Sequence, residues 1–575
     1  MVNIAQLYDK FCTRARNGLI RIPFMEKWSV PDWLVGVCVY SGFVMVVIWF
    51  IANCFFGLGT FNDECYMALC CRDYAEQPMA MLTFFGGWLA IHLFGDQIIT
   101  LRLLMCFSLF VGIGVPCWYC YRRTGSLRWG LFTASCVLVY VLSSQFKFYG
   151  WDYGPIMYAG PLITLIVSLY DRITVTKVIG VGSFAALTIL ARVPAAIIVV
   201  PLCFISLWFA TKGIPRRGYR YWSYAGIGFL SFIAVALICV TVMKGSPAAY
   251  IESWRSENII TGHGLREAYN LYYGIAKYDV NLIICMAWVE KYALASIVVL
   301  LFFSRRSRFL PALILLSYLF YRKLMIPNCM NVPRATFDLM IILFPFIYNL
   351  KSKLLGERSR IEVDFRKFWT IIAFVLVMAV GSDRILLRIN YYYMLPLLLV
   401  ALYPVRRGII FWAMLFIIMP NFIFAVDERM KEISCYRPMK EVLPYHNYIY
   451  DEKNAAVNFF PLRPVTDVMK QEGKRIVSFG EGRYTPSYLY EDGKPYRINA
   501  FHLYYMDEMA RRLDDFLSCH DCAVVRNWGG MIYTREDMRR MMRERDFYIT
   551  AVVGEYVVFE RIEPLRFQYV ADAEK

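Results

Sequence analysis

Long apolar runs recur through the first 425 residues of this 575-residue chain, and they restrict its fold more than any other feature. Hydrophobic residues make up 58% of the sequence and charged residues only 19%. A soluble domain is about half apolar and a quarter charged, whereas a helix that crosses a bilayer needs about 20 consecutive apolar residues. The runs therefore predict an all-α polytopic membrane protein, with about 13 transmembrane helices in residues 1–425.

The formal net charge of +17 is explained by membrane orientation rather than by a nucleic-acid partner. Much of the Lys and Arg lies in short loops between apolar runs, as the positive-inside rule requires of cytoplasmic loops. The first run, residues 34–56, starts too late and is too long for a cleaved signal, so it predicts an anchor with a cytoplasmic N-terminus. We expect a multi-pass protein of a bacterial inner membrane. Four cations fall in predicted outer loops, namely Arg322, Lys323, Arg384 and Arg388. The positive-inside rule disfavours cations there, so either two spans are miscounted or these residues have a function outside.

The second apolar run, residues 79–94, would form a helix of about 24 Å, which is shorter than the hydrocarbon core of about 30 Å. If this helix crossed the membrane, Arg122 and Arg123 at the end of the third run, residues 98–121, would lie outside. If it lies along the outer surface, the two arginines lie in the cytoplasm, as the positive-inside rule prefers. We therefore predict a juxtamembrane helix on the outer face.

The sequence becomes polar from residue 426, which predicts a small extracytoplasmic α/β or α+β domain over residues 426–575. Alternating β-branched residues and turn signals mark strands, and apolar periodicity marks amphipathic helices. The predicted strands cover 474–480, 522–525 and a hairpin at 548–561 that turns at Gly554, and the predicted helices cover 507–517 and 535–545.

The segment Cys519-His520-Asp521-Cys522 is a single CxxC pattern, with His502 nearby. A zinc site of this kind generally has a second ligand pair, so a disulfide or two free thiols are favoured over a metal. A P-loop, a Gly-rich nucleotide fingerprint and a Ser-His-Asp signature are all absent from the sequence. Their absence disfavours chemistry on a nucleotide sugar.

Two adjacent carboxylates, Asp63 and Glu64, follow the first apolar run. Such a pair is commonly part of a solvated loop, but three features favour a site. First, Asp152 lies in the next predicted outer loop, between Trp151 and Tyr153. Second, the short apolar run 79–94 would hold the predicted loop of Asp63 and Glu64 at the membrane surface. Third, cations lie at predicted outer helix ends. These cations are Arg102, Lys147, Arg192 and Arg334, although each taken alone fits an interfacial side chain that snorkels to the headgroups.

This combination suits transfer of a sugar from a polyprenyl phosphate to an acceptor hydroxyl. A carboxylate can act as general base on the hydroxyl, and fixed cations can stabilise the departing phosphate. Asp63 is the first candidate for the base, and Glu64 and Glu76 are second choices. No metal site is assigned, but Asp63 and Asp152 would hold a divalent cation, Mg²⁺ or Mn²⁺, if one is needed. His263 could contact the acceptor, although an ordinary loop turn is favoured there.

The order of these motifs resembles the N-terminal module of GT-C glycosyltransferases, in the protein O-mannosyltransferase and lipid A aminoarabinose transferase-like branch. In that family an Asp-Glu follows the first span, a Glu-Lys-Pro-Pro-like turn opens a juxtamembrane helix, and Leu-Phe-Gly and an Arg follow. The matching residues here are Asp63-Glu64, Glu76-Gln77-Pro78, Leu93-Phe94-Gly95 and Arg102. The resemblance covers roughly the first 200 residues.

The resemblance implies a GT-C-like fold, Asp63 as the catalytic carboxylate, Asp152 as the second-loop acid and a polyprenyl-phosphate sugar as donor. The acceptor would be a glycan, a lipid or a protein. Gln77 stands where the family has a Lys that is expected to contact the lipid phosphate, and Met79 replaces the second Pro. Another cation must therefore take that contact, or the donor differs.

Two other classes of protein fit parts of the pattern. A polysaccharide ligase or polymerase would place its essential residues in the predicted outer loop 244–277 and would not need Asp63. A transporter would show internal repeats and charges near the middle of the membrane, whereas the charges here gather at the predicted outer boundary.

Overall fold

The computed structural model describes part of the chain, and the structural statements concern that part. The described residues are 32–55, 68, 70–72, 81–124, 156–191, 195–212, 214, 218–244, 248, 364, 366, 367, 369, 370, 461–479, 490, 500, 501, 514, 517, 518, 520–526, 535–554 and 556–562.

The described residues of each predicted apolar run before residue 245 form a helix; these runs are 34–56, 79–94, 98–121, 154–170, 178–190, 195–209 and 221–243. Three of these helices contain an interior proline, Pro116, Pro161 or Pro201, which transmembrane helices tolerate. The predicted run at 129–144 and those after residue 282 lie outside the described residues, so the total of about 13 spans stays a prediction. The helices are α1 (Asp32–Phe55), α2 (Met81–Phe94), α3 (Ile98–Thr124), α4 (Ile156–Leu169), α5 (Val175–Ala191), α6 (Ala196–Thr211) and α7 (Gly218–Lys244).

Two of these helices, α3 and α7, are long and apolar enough to cross a bilayer, over Ile98–Pro116 and Gly218–Ile238. Little of the α7 window is buried, and it carries large exposed apolar side chains such as Leu230 (64% exposed) and Ile238 (64% exposed). Water does not favour such a surface, whereas lipid does. The exposed apolar surface of α7 therefore agrees with the predicted membrane location.

Glycines bring the backbones of neighbouring helices into close contact. A Cβ built on Gly160 of α4 would lie 2.2 Å from the carbonyl oxygen of Gly112 on α3. Likewise, a Cβ on Gly228 of α7 would lie 2.4 Å from the carbonyl oxygen of Ile179 on α5. Small residues at such crossings are typical of membrane helices, where van der Waals packing drives association.

The C-terminal segment forms a five-stranded mixed sheet in the order β2-β1-β3-β5-β4. Strand β1 pairs in parallel with β2 and β3, while β5 pairs antiparallel with β3 and β4. Its buried core includes Val477, Val525, Phe547 and Phe559 with Met538 and Met542. The elements are α8 (Arg463–Gln471), β1 (Ile476–Phe479), β2 (Ala500–Phe501), β3 (Cys522–Arg526), α9 (Arg535–Arg543), β4 (Phe547–Val553) and β5 (Tyr556–Arg561).

The predicted strands, hairpin and second helix of this segment are confirmed. Gly554 has a φ of 56° at the hairpin turn, a conformation that favours glycine. Helix α8 and the two-residue strand β2 were not predicted from the sequence. Most of the predicted helix at 507–517 lies outside the described residues. The domain boundary at residue 426 and the location of this segment on the outer face stay predictions.

Candidate functional site

The C-terminus of α1 meets the N-terminal part of α3 through a buried arginine. Arg102 lies in the second turn of α3 and is 1% exposed, and its Nη1 donates a hydrogen bond to the carbonyl oxygen of Cys54 at 3.4 Å. The last carbonyls of a helix have no partner within the helix and carry partial negative charge, so a guanidinium suits this position. The sulfur atoms of Cys54 and Cys106 are 3.6 Å apart at the same contact. We call this end of the helix bundle, which holds the end of α1 and the start of α3, the site end.

The other end of the bundle is marked by Asp171, in the turn of residues 170–174 between α4 and α5. Tyr119, near the C-terminus of α3, donates a hydrogen bond from its hydroxyl to Asp171 Oδ2 at 2.8 Å. The ammonium of Lys367 pairs with Asp171 Oδ1. Because α3 runs from the site end to this contact, α4 ends and α5 begins at the opposite end.

Helix α5 returns from that turn to the site end. Its 17 residues span about 25 Å at 1.5 Å per residue, which brings Ala191 to the level of the α3 N-terminus. There the hydroxyl of Thr83, in the first turn of α2, donates a hydrogen bond to the carbonyl oxygen of Ala191 at 2.9 Å. Both side chain and acceptor are buried, so the contact fixes the start of α2 at the site end.

The other end of α2 lies at the site end as well. Phe94 is joined to Ile98, the first residue of α3, by the three residues Gly95, Asp96 and Gln97. Gly95 has a φ of 102°, and its carbonyl oxygen accepts a hydrogen bond from the Thr100 hydroxyl at 2.8 Å. Both ends of the 14-residue helix α2 are therefore at one end of the bundle, so α2 does not cross it from end to end.

Among the predicted site residues, the structure describes Arg102 alone, and it lies at the site end. Several of the others are close in sequence to helix ends located there. Asp63 follows the last residue of α1 by eight positions, Asp152 precedes α4 by four, and Arg192 directly follows α5. The placement of nine predicted residues lies outside the described part of the chain: Asp63, Glu64, Glu76, Gln77, Lys147, Asp152, Arg192, His263 and Arg334.

Burial of Arg102 bears on its predicted role. Its side chain is buried, and its guanidinium donates a hydrogen bond to a backbone carbonyl at the end of α1. This contact stabilises the end of α1. A contact between Arg102 and a lipid phosphate stays a prediction.

An ion pair that the sequence analysis missed lies at the same end. Arg72, located in the chain between Asp63 and Glu76, pairs with Asp96 in the turn between α2 and α3, with Nη2–Oδ1 2.8 Å and Nε–Oδ1 2.9 Å. The Arg72 side chain is 3% exposed and that of Asp96 is 32% exposed. Ala68, Cys70 and Cys71 beside Arg72 are also buried. The sequence contains no local pattern that marks either Arg72 or Asp96 as a member of an ion pair.

The CxxC segment offers no described metal site. Within the described residues, no group of three or more His, Cys, Asp or Glu side chains could hold a metal ion. Asp521 forms an ion pair with Arg475 at 3.2 Å, and the hydrogen bonds and charge of Arg475 lower the pKa of Asp521. Burial, followed by the charge of Glu560, raises the pKa of the free thiol of Cys522 to about 12. Cys522 is therefore an unreactive thiol of β3 at neutral pH, while Cys519 lies outside the described residues.

Solved structures similar to this chain include two crystal structures of ArnT from Cupriavidus metallidurans. The structure bound to undecaprenyl phosphate has 14% sequence identity and a TM-score of 0.37, and the apo structure has 13% identity and a TM-score of 0.35. Each alignment covers 92% of this chain and 99% of the ArnT chain. TM-scores of this size do not establish a common fold. No protein-family model and no curated protein matches this sequence.

Proposed function

We propose that this chain is a GT-C-type membrane glycosyltransferase, which transfers a sugar from a polyprenyl-phosphate donor to an acceptor hydroxyl at the extracytoplasmic face. The observation that carries the proposal is the arrangement of α2, whose two ends both lie at the site end. The ends of α1 and α5 lie there as well. This arrangement supports a single site that combines the acidic residues after α1 and before α4 with the arginine after α5.

In the proposed reaction, the Asp63 carboxylate accepts the proton of the acceptor hydroxyl as the hydroxyl oxygen attacks the anomeric carbon. The bond between that carbon and the phosphate oxygen breaks, and the polyprenyl phosphate leaves with the electron pair. A single displacement of this kind inverts the anomeric configuration. Arg192 and Arg334 stabilise the charge that develops on the phosphate, and Arg102 adds positive charge from within the helix packing.

The remaining predicted residues have supporting roles in this proposal. Asp152 supports Asp63, or together with Asp63 holds Mg²⁺ or Mn²⁺, ions that prefer carboxylate oxygens. Gln77 replaces the family's phosphate-binding Lys, so Lys147 or an arginine takes that contact. Glu64 and Glu76 are second choices for the base, and His263 contacts the acceptor.

The assignment of Asp63 is tested by Asp63→Asn in the purified, full-length protein. Loss of a general base costs about 10²- to 10⁴-fold in rate, so we expect sugar transfer from a polyprenyl-phosphate sugar to fall by at least about 100-fold. Asp73→Asn is the matched control, because it removes a carboxylate from the same loop and should leave the rate unchanged. Full activity of a folded Asp63→Asn variant would contradict the assignment. Activity that depends instead on residues 244–277 would indicate a polysaccharide ligase or polymerase.

The donor is tested independently by mass spectrometry of lipids that copurify with the protein. We expect a polyprenyl phosphate, or its sugar derivative, at a higher ratio to protein than in an unrelated membrane protein purified in the same way. Equal amounts in the two preparations would contradict this choice of donor.

A further inference from the structure

We infer that the ion pair between Arg72, which is itself in helical conformation, and Asp96 positions the chain segment that carries Asp63 and Glu76 for the transfer reaction. Neither residue is among those assigned to binding or chemistry. The inference rests on the proposed function, because it assigns the pair to the same site. Arg72 and Asp96 are positioning residues in this account, because they act through the loop and not on the substrate.

The position of Arg72 in the chain is the first observation. The segment between α1 and α2 covers residues 56–80, and Arg72 lies nine residues after Asp63 and four before Glu76. A contact at Arg72 therefore limits the positions that both carboxylates can reach. Its neighbours Cys70 and Cys71 are both 0% exposed, so the anchor includes buried apolar contacts as well as the ion pair.

The surroundings of Asp96 are the second observation, because an anchor must itself be fixed. Asp96 lies between Gly95 and Gln97, in a turn closed by several hydrogen bonds. The Gly95 amide donates to the Ile91 carbonyl at 2.9 Å and the Gln97 amide to the Gly95 carbonyl at 3.0 Å. The Thr100 hydroxyl donates to the same Gly95 carbonyl. The turn is therefore held by both α2 and α3, and Arg72 attaches the loop to it.

Burial explains why the pair should be sensitive to substitution. A guanidinium that is 3% exposed has lost nearly all contact with water, and breaking a buried ion pair by removing one partner is strongly destabilising. Replacing Asp96 with Asn removes the opposite charge that lies 2.8 Å from the Arg72 guanidinium, and so weakens the attachment of Arg72 to the turn before α3. We therefore expect loss of the Asp96 charge to release the segment that contains Arg72.

A second contact limits the start of the loop. Arg102 holds the last turn of α1 through the Cys54 carbonyl, two residues before the segment begins. Arg102 and Arg72 thus hold the segment on either side of Asp63. The described contacts that flank residue 63 in the sequence, at Cys54 and at Arg72, are therefore made to α3 and to the turn before α3.

The experiment compares Asp96→Asn with wild type in the purified, full-length protein. Hydrogen exchange of peptides from residues 56–80 reports on the loop, and steady-state kinetics with a polyprenyl-phosphate sugar report on the reaction. We expect faster exchange in that segment and a kcat lowered on the order of 100-fold, the typical result of a small misplacement of a catalytic group. The KM for the donor should change much less, because the phosphate contacts remain. Arg72→Lys keeps the charge but not the guanidinium geometry, so its kcat and its exchange in residues 56–80 should lie between those of wild type and Asp96→Asn.

Asp171→Asn is the matched control at the opposite end of the bundle. Asp171 pairs with Lys367, and their side chains are 28% and 3% exposed, against 32% and 3% for Asp96 and Arg72. This variant should raise exchange near residues 170–174 but leave both kcat and the exchange of residues 56–80 unchanged. Equal effects of the two variants on kcat would show a general loss of stability and would overturn the inference.

The remaining outcomes separate the inference from the proposed function. Wild-type exchange of residues 56–80 in Asp96→Asn would overturn the inference whatever the activity. Faster exchange with an unchanged kcat would also overturn it, because the ion pair would then hold the segment without any effect on the rate of the reaction. Full activity of Asp63→Asn would contradict the proposed base. It would not change the hydrogen exchange of Asp96→Asn, which reports on the ion pair independently of the base.

Discussion

Buried charged side chains are the most informative residues of the described part of this chain. Arg72 and Arg102 are both nearly inaccessible to solvent, and each faces an oxygen atom: a carboxylate for Arg72 and a helix-end carbonyl for Arg102. Burying a charge is costly unless it is hydrogen-bonded or paired. The two arginines therefore show where the chain must keep a definite geometry, and both places are next to the segment that carries Asp63.

Substitution of Arg102 distinguishes a structural role from a role in phosphate binding. Hydrogen bonds to charged groups contribute about 1.5–3 kcal/mol, and Lys cannot reproduce the guanidinium geometry. We expect Arg102→Lys to lower the free energy of unfolding by about 1–2 kcal/mol, measured by thermal unfolding in detergent. Arg122→Lys, at an exposed position of the same helix, is the control and should have little effect. Unchanged stability with a raised KM for the donor would instead favour direct phosphate binding.

Stability of the C-terminal sheet should depend on the ionisation of Asp521. Its pKa is lowered in the folded protein by Arg475, so the pair stabilises the fold above the unfolded value of about 3.9. That stabilisation is lost as the pH falls through the lower, folded pKa. Because the Asp521 side chain is 39% exposed, solvent screening limits its contribution to about 0.5 kcal/mol.

Asp521→Asn should therefore be less stable than wild type at pH 6, and the difference should shrink as the pH falls below the unfolded value of about 3.9. Protection of the C-terminal fragment against protease in urea, measured as the pH is lowered from 6, tests the expectation. Glu544→Gln, at an exposed carboxylate of the same segment, should show no such convergence. A difference for Asp521→Asn that does not shrink with falling pH would mean that the carboxylate charge is not the cause.

At the scale of elements, the helices of the membrane part are held together by backbone contacts as well as by side chains. Gly160 and Gly112 lie where α3 and α4 cross, and Gly228 and Ile179 lie where α5 and α7 cross. Glycine lowers helix propensity relative to alanine by about 1 kcal/mol. At these crossings that loss is offset by the close approach that the absence of Cβ permits.

Alanine at two glycines of α7 should have opposite effects. Gly228→Ala places a methyl group 2.4 Å from the Ile179 carbonyl oxygen, whereas a Cβ on Gly226 would have no neighbour within 4 Å. We expect Gly228→Ala to lower the free energy of unfolding by about 1–3 kcal/mol, the typical cost of overpacking. Gly226→Ala should be neutral or stabilising by up to about 1 kcal/mol. Thermal unfolding of the two variants in one detergent makes the comparison, and equal melting temperatures would contradict the observed crossing.

At the scale of the whole molecule, the direction of each helix decides which loops share a side. Contacts at Cys54 and Ala191 define one end of the bundle, and the contact between Tyr119 and Asp171 defines the other. The proposed function needs the first end to face the extracytoplasmic side. The positive-inside rule, applied to Arg122 and Arg123 at the end of α3, predicts that orientation.

Reporter fusions test both the orientation and the path of α2. Alkaline phosphatase, which is active only outside the cytoplasm, should be active when fused after residue 76 and after residue 96, because both ends of α2 lie at the site end. A fusion after residue 124, at the end of α3, should be inactive and provides the internal control. Activity at residue 76 without activity at residue 96 would show that α2 crosses the membrane, and Asp152 would then lie on the side opposite Asp63.

The sequence by itself determined most of the segments that become helices and strands in the described chain, with α8 and β2 as exceptions. An apolar run of sufficient length forms a helix whatever surrounds it in the chain, and Gly554 marks a turn through its own backbone freedom. For the same reason the predicted runs agree with α1, α3, α4, α5, α6 and α7 within a few residues. The two-residue strand β2 was missed because it has too few residues to show a period, and its pairing with β1 is a contact between distant segments.

Tertiary structure alone decided which distant residues meet. Arg72 and Asp96 are 24 positions apart and Thr83 and Ala191 are 108 apart, and neither pair has a local pattern that distinguishes it from ordinary loop or helix residues. Charge and length predicted that α2 lies along a surface, but only the hydrogen bond from Thr83 located both of its ends at one end of the bundle. The physical reason is that helix formation depends on neighbours in sequence, whereas the partner of a buried polar group depends on how complete helices pack.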